Sequence, residues 1–370
     1  MRILVSGAGM AGLSAGITLG TTGHDVTIVE RADHLRVNGS PIDVRGDALG
    51  IAAQMGILGR IEDRKVSMTE LVQFVDSSGE VLAELPGAEV SDSADDIEIP
   101  REDLARILHH ALTPSTSLIF GESIESLEED GDGVDVTFVS GRRDRYDLVV
   151  GADGMHSLTR RLAFGPETDY LRHLGLYVAL VDLPAERGAD RINPIYNFPG
   201  HMIGITRYHD TALGVLNFRA PWIEYDYRDL DAQRQIIIDA FAGHDEWRIP
   251  EILDAVRADP ELYFDSVSQI HLPAWHRGRV VLVGDAAHCA SGLSGRGASL
   301  AITGTWLLAQ ALRNHPQDLA TAYAEYEQNQ RPYVTRAQAS VGPGGDLVVP
   351  ATQQDLDARN ARLRTMPVSP

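Results

Sequence analysis

Cysteine is almost absent: Cys289 is the single one in 370 residues, so no disulfide can form within the chain. Long apolar runs are missing too, since no stretch reaches the roughly 18 apolar residues of a membrane span. Residues 1–6 are apolar behind Arg2, but glycines interrupt them where a secretory signal would continue. A cytoplasmic location is therefore the expectation. Positive charge is scarce: 32 basic residues against 53 acidic ones leave a net charge of −21, a field that repels phosphate backbones and anionic lipid. Neither nucleic acid nor a membrane is an expected partner, although a few local arginines can still hold a small anionic cofactor. The sequence also lacks internal repeats, zinc-ligand spacing, a Ser-His-Asp order and paired carboxylates, so no metal site is expected.

What remains is a globular composition, 44% hydrophobic and 23% charged, long enough for two parts around a substantial core. An apolar run at 3–6, a small-residue helix after it and an alternating strand at 25–30 make one βαβ unit. Helical spacing covers 43–61 and 101–112, with a hairpin expected over 66–85 around Ser78 and Gly79. Strands are expected at 117–120, 123–129, 134–139 and 148–150. From 177 to 222 the pattern becomes a series of short β runs, the mark of an antiparallel sheet. Helices at 231–242 and 251–258 precede a buried strand at 279–283 and long helices at 296–312 and 320–340. The glycine- and proline-rich stretch 341–350 reads as a linker to a polar tail.

Three motifs carry chemistry. The first is Gly7-Ala8-Gly9-Met10-Ala11-Gly12 between the first strand and helix. Gly7 permits the turn, Gly9 lets backbone approach a diphosphate, and Gly12 allows helix and strand to pack closely. Glu30 ends the next strand, 18 residues after Gly12, where a carboxylate can accept both hydroxyls of a ribose. This motif alone does not choose between NAD and FAD. The second motif runs from Asp147 to Arg161, with Gly151, Asp153, Gly154, Ser157, Arg160 and Arg161 after an apolar strand. The third, Val280 to His288, is another buried strand ending in Gly284-Asp285. Two strands that both end in a small residue and an aspartate point to one shared ligand at the carboxyl edge of a sheet.

In this order the three motifs resemble the single-component flavin monooxygenases built on the para-hydroxybenzoate hydroxylase fold. That group includes phenol hydroxylases, polyketide-tailoring enzymes and tetracycline-inactivating monooxygenases. The resemblance extends to about residue 339 and includes Gln330-Arg331-Pro332. It implies an α/β fold: a Rossmann-like three-layer ββα FAD-binding domain of the GR2 type, interleaved with an antiparallel substrate-domain sheet and closed by C-terminal helices. Residues 1–65, 96–165 and 271–340 would form the first domain, 66–95 and 166–270 the second, and 341–370 a tail.

The resemblance further implies non-covalent FAD, with NADPH or NADH as transient electron donor and O2 as co-substrate. The expected reaction is hydroxylation of an aromatic or polyketide-like small molecule through a flavin C4a-hydroperoxide. A flavin oxidoreductase that inserts no oxygen, or a non-catalytic FAD-binding protein, are the alternatives; monomer and homodimer both stay open. Gly7, Gly9, Met10, Ala11 and Gly12 would bind the diphosphate, Glu30 the ribose and Arg31 the adenine side. Arg45 would stand at the diphosphate and Arg101 near the ribityl chain, with Asp153 and Gly154 serving flavin and nicotinamide. Gly284 and Asp285 would hold the ribityl hydroxyls, and Gly295, Arg296, Gly297 and Ala298 would form the helix start beneath the flavin pyrimidine.

The sequence also departs from that family. Gly292 follows Cys289-Ala290-Ser291 where a proline is usual, Arg296 replaces glutamine or lysine, and Ser299 replaces asparagine. Gly292 could loosen the flavin pocket. His288 and Cys289 read as packed residues beneath the cofactor, since a reactive thiol needs exposure and a lowered pKa. In the antiparallel sheet Tyr177, Tyr196, Asn197, Phe198, Met202, Arg207 and Phe218 are candidates to line the pocket, with alternation sending half of them inward.

Overall fold

The computed structural model describes residues 1–35, 40–66, 71–86, 93, 95–184, 191–209 and 211–365. The expected segment 66–95 therefore lies partly outside the described residues. The N-terminal part runs β1 (Arg2–Ser6), α1 (Met10–Thr21), β2 (Asp25–Glu30), β3 (Ile42–Val44), α2 (Asp47–Gln54) and α3 (Leu58–Glu62). The hairpin β4 (Leu71–Val75) and β5 (Val81–Pro86) comes next, then β6 (Ile97–Ile99) and α4 (Arg101–His110). Strands β7 (Thr116–Phe120), β8 (Ile124–Glu129), β9 (Val134–Phe138), β10 (Arg143–Tyr146) and β11 (Leu148–Gly151) lead to α5 (Leu158–Phe164). Four long strands follow: β12 (Leu171–Leu183), β13 (Ile192–Phe198), β14 (His201–Tyr208) and β15 (Thr211–Arg219). After α6 (Leu230–Ala240), α7 (Ile249–Ala258) and β16 (Tyr263–Ile270), the chain makes β17 (His276–Arg277), β18 (Val280–Leu282) and α8 (Asp285–His288). It closes with α9 (Gly297–Asn314), α10 (Leu319–Val348) and α11 (Gln353–Arg364).

The first sheet has the order β17-β18-β11-β1-β2-β7 and is parallel apart from the β17–β18 pair. Side chains alternate across it, so its two faces feed two cores. Ile3, Val5 and Ile28 pack toward the helices, while Leu4, Val29 and Val149 pack against the meander β8-β9-β10. Helix, parallel sheet and antiparallel meander are thus the three layers. The carboxyl ends of β1, β11 and β18 lie side by side, which brings all three motifs to one edge.

The second sheet has the order β16-β12-β15-β14-β13-β4-β5. One of its faces carries Tyr177, Ala179, Ile203, Ile205 and Phe218 and is buried beneath α6 and α7 with Ile237, Phe241 and Ile252. The other carries Leu176, Val178, Met202, Val215 and Val267 and meets Leu293, Val349 and Leu363.

Two features depart from expectation. Strand β16 is one that the sequence pattern does not reveal, because seven of its eight residues are buried and no alternation shows. The stretch 341–350 is not a linker: α10 continues through Gly342-Pro343-Gly344 to Val348, and α11 follows behind a capping box of Thr352 and Asp355. Propensity argues against a helix there, since an interior proline costs ~3 kcal/mol. Packing overrides it, with Val341, Gly345 and Val349 buried. A Cβ on Gly345 would lie 3.1 Å from Leu176 Cδ1, so glycine allows the helix to sit close on the sheet. The tail is tied down by polar contacts as well: Arg219 Nε donates to Val349 O at 2.7 Å and Arg364 Nε to Leu82 O at 2.7 Å.

Candidate functional site

At the end of β1 the glycines are required by close approach. Gly7 has φ +100°, and a Cβ there would lie 2.6 Å from Ala152 O; a Cβ on Gly12 would lie 1.8 Å from Gly7 O. Around Gly9, by contrast, a Cβ would meet nothing within 4 Å. The open side of the loop is also the start of α1, which has no side-chain cap. Its first-turn N–H groups at Met10, Ala11 and Gly12 therefore point into that space with the positive end of the helix dipole. Glu30 braces the loop: Oε2 accepts from Ala8 N at 2.8 Å and Oε1 from Ala32 N at 2.9 Å. Each oxygen keeps capacity for a further donor. Arg31 is exposed beside it.

The second motif turns out to be scaffold. The Asp153 carboxylate accepts from Ser6 Oγ (3.4 Å), Thr159 N (2.8 Å), Thr159 Oγ1 (2.9 Å) and Ser157 Oγ. Four internal donors fix the turn at Gly154 to β1 and to α5, an arrangement that occupies Asp153 within the protein rather than offering it to a ligand. Arg160, given no role from sequence, is completely buried. It donates to Met155 O at 2.5 Å, to Glu167 Oε2 at 2.6 Å and to Ala286 O at 3.0 Å. Through Ala286 it joins the second motif to the third.

Gly284, at φ +58°, brings α8 against α1, since a Cβ there would lie 2.7 Å from Ala11 Cβ. Asp285 then faces open space and is exposed, yet the protein around it desolvates its carboxyl and pushes its pKa up, with Arg101 pulling it down. Asp285 is thus open to solvent yet closely surrounded by protein. Tyr263 shows the same combination: it is 46% exposed, its phenol is raised by desolvation, and it feels Asp265, Arg101 and Asp285. Cys289 is buried and its thiol is pushed well up by burial and by Asp285, so it stays neutral. Burial drops His288 to about 3, leaving it neutral beside Trp275 at a ring distance of 4.6 Å.

Helix α9 supplies a second uncapped start, with Arg296 as N-cap making no side-chain cap bond and no acidic residue in the first turn. Gly295 is left-handed at φ +61° and Gly297 is exposed. Arg45 is held here by Asp43 at 2.7 Å, while its backbone N–H donates to Ser299 Oγ at 2.9 Å. Ser299 Oγ in turn donates to Asp43 O at 3.3 Å, so this serine ties β3 to the helix start. Gly292 is exposed, and a Cβ there would meet nothing within 4 Å. Its neighbour Ser291 adopts φ +80°, ψ 147°, a backbone region that side chains normally avoid.

Of the seven expected pocket residues, most lie elsewhere. Tyr177 stacks between Phe218 and Phe264 at 5.3 and 5.6 Å, and its hydroxyl accepts from Ile223 N. Tyr196 and Phe198 pack near Trp247, Phe241 and His244. These four aromatics form the core beneath α6 and α7, behind the sheet. Arg207 follows Ile203 and Ile205 by alternation and shares their face. Asn197 is on the other face but is committed: Nδ2 donates to His201 O and Val348 O, and Oδ1 accepts from Arg359. Met202 is on that face too, buried in the cluster with Val349 and Leu363, and its sulfur accepts from Asn217 Nδ2 at 3.9 Å. Sequence reasoning named Arg160 only within the second motif, without its bracing duty, and did not single out Tyr263 or Asn217. For Tyr263 the missing signal was the strand itself.

A cavity of about 480 Å³ is lined by Gly46, Leu49, Leu58, Glu62 and Asp96, next to Arg45, and one of about 180 Å³ is lined in part by His288. Among the described residues no cluster could hold a metal ion, and no helix is long and apolar enough to cross a membrane.

Residues 1–182 and 264–339 match the family described as FAD binding domain. An uncharacterized protein of Mycobacterium tuberculosis is 37% identical over 365 residues, covering 96% of each chain. A flavin-dependent monooxygenase of Legionella longbeachae is 35% identical over 341 residues, covering 91% of this chain and 87% of the relative. Among solved structures, the tetracycline destructase Tet(51) superposes with a TM-score of 0.84 at 31% identity, covering 98% of this chain and 95% of that one.

Proposed function

Because the chain belongs to the FAD-binding family of flavin-dependent monooxygenases, we propose that it takes electrons from NADPH or NADH and one oxygen atom from O2 to hydroxylate a polycyclic, polyketide-like phenol. The Tet(51) likeness supports a substrate of tetracycline type. The observation that carries the reading is the convergence of two uncapped helix starts, α1 and α9, on one cleft with Asp285 and Arg101 in its wall.

The residues present fit FAD. The α1 N–H groups and the open face of Gly9 would take the diphosphate, and Glu30 would accept the ribose hydroxyls with its free lone pairs. Asp285 would hold the ribityl hydroxyls. The start of α9 would stabilise negative charge on the reduced ring, its N–H groups needing no reorganisation to do so. When bound, the flavin supplies the redox and oxygen chemistry. The protein's own part is placement and exclusion of water: Asp153 and Arg160 lock the turns, Arg45, paired with Asp43 and Asp96, ties β3 beside α9, and the sheet with α10 and α11 roofs the cleft.

The test is anaerobic reduction of the purified yellow protein with NADPH and, in parallel, NADH, followed by mixing with O2 and tetracycline. A product heavier by one oxygen atom, with nicotinamide consumption that depends on substrate, is expected. Hydrogen peroxide as the sole fate of O2 with every aromatic tried would move the protein to flavin oxidoreductases that insert no oxygen. The open space at Gly292 would then be the feature to alter first, and Gly292→Ala fits it without a clash.

A further inference from the structure

Among the described residues the large hydrophobic side chains left exposed are Val81, Val139, Leu162, Trp222, Tyr263 and Tyr333. Tyr263 is set apart by what surrounds it. It begins β16, pairs in register with Leu180, and shares a face with Asp265 and Val267. That face also carries Val178 and Met202 and looks away from α6 and α7. Across from it stand Arg101, at the start of α4, and Asp285, at the start of α8, both acting electrostatically on the Tyr263 phenol. These two belong to the cofactor wall, so the ring looks from the sheet toward the cofactor.

A half-bare aromatic ring inside a cleft offers a flat apolar surface of the kind that stacks on another conjugated ring. We propose that the Tyr263 ring packs against the isoalloxazine of bound FAD and closes the cofactor site from the sheet side. This rests on the FAD reading above and extends it to a residue of the second sheet. Desolvation, with Asp265 beside it, pushes the phenol up, so the hydroxyl stays protonated and is a donor and not a base.

Bound-flavin fluorescence in the parent protein and in Tyr263→Trp, Tyr263→Phe and Tyr263→Leu tests the contact. Tyrosine and tryptophan give an electron to a photoexcited flavin at contact, whereas phenylalanine and leucine do not. The expected order of brightness is therefore the Trp variant dimmest, then the parent, then the Phe and Leu variants. FAD affinity should fall roughly two- to tenfold in the Leu variant, which loses the ring contact, and stay within about twofold in the Phe variant, which keeps it. A merely structural role would not produce that optical order. Equal brightness in all four proteins overturns the contact. If the Leu variant does not fold, the Trp and Phe variants decide the matter by themselves. A parent protein that takes up no FAD overturns the functional reading and this inference together; one that binds FAD without the order overturns this inference alone.

Discussion

The two walls of the cleft are made of different material. On the side proposed for the cofactor the surface is backbone: two uncapped helix starts, close approaches at Gly7, Gly12 and Gly284, and carboxylates that brace the loops. The sheet side is side chain: half-exposed Tyr263 stands beside Val178, Val215 and buried Met202, which pack with Val349 and Leu363. A backbone wall tolerates almost no substitution at its contact points, because nothing there can rotate away. A side-chain wall can change its ligand by changing residues while the strands stay put. One fold can thereby keep one cofactor and meet many substrates.

The comparison breaks most sharply at Arg160. Arg160→Ala takes one donor from Glu167, which keeps His156, and leaves the Met155 and Ala286 carbonyls without this one, at about 1–3 kcal/mol for each buried acceptor left unpaired. Urea unfolding should show that loss together with lost FAD, although Arg160 touches no ligand. Gly12→Ala comes next: a Cβ placed 1.8 Å from Gly7 O should cost ~3 kcal/mol and empty the FAD site, read as flavin per protein after desalting. Full flavin content in the Gly12→Ala variant would refute the backbone-wall account.

His156 joins the two walls, pairing with Glu167 at 2.9 Å and Asp265 at 3.2 Å and stacking on Tyr227. Burial alone would lower it, but hydrogen bonds to the two carboxylates outweigh burial and raise it from 6.5 to about 10. A raised folded value means the stabilisation is complete below pH 6.5 and is lost as pH climbs through about 10. Midpoints of urea unfolding should therefore fall across that window, and His156→Gln should flatten the fall. A parent profile already flat there would refute the charged bridge.

Phe218→Leu should cost about 1 kcal/mol of stability with KM unchanged, because the ring is packed behind the sheet under α6 and α7. A KM change in the Phe218 variant would return that face to the pocket. The smallest effect belongs to Ser291→Gly, which relieves a φ of +80° and should add about 1 kcal/mol of stability, measurable as a rise in Tm.

The same contrast explains what could be read from sequence. Gly7 and Gly12 were legible because close approach admits only glycine there, while the ligand roles read for Gly9, Glu30 and Asp285 belong to the proposed function. The bracing of Asp153 was not legible, since Ser6 and Thr159, which donate to it, converge only in three dimensions. Alternation told that Tyr177 and Phe218 share sides with their cross-strand partners, but not which side holds helices. Strand β16 was hidden by burial on both faces, and α10 beyond Ser340 by residues that favour turns until packing overrules them.

Helix α10 has a consequence of its own. Its 30 residues make a rod of about 45 Å that begins against α9, bonds Tyr326 to Leu282 O and Gln330 to Leu300 O, and ends on Leu176 of the second sheet. The spacing between cofactor and roof is thus counted in helical residues. Adding one would swing the far end through about a quarter-turn and unseat Gly345, so the enclosure can be retailored only by carving its lining, never by stretching its frame.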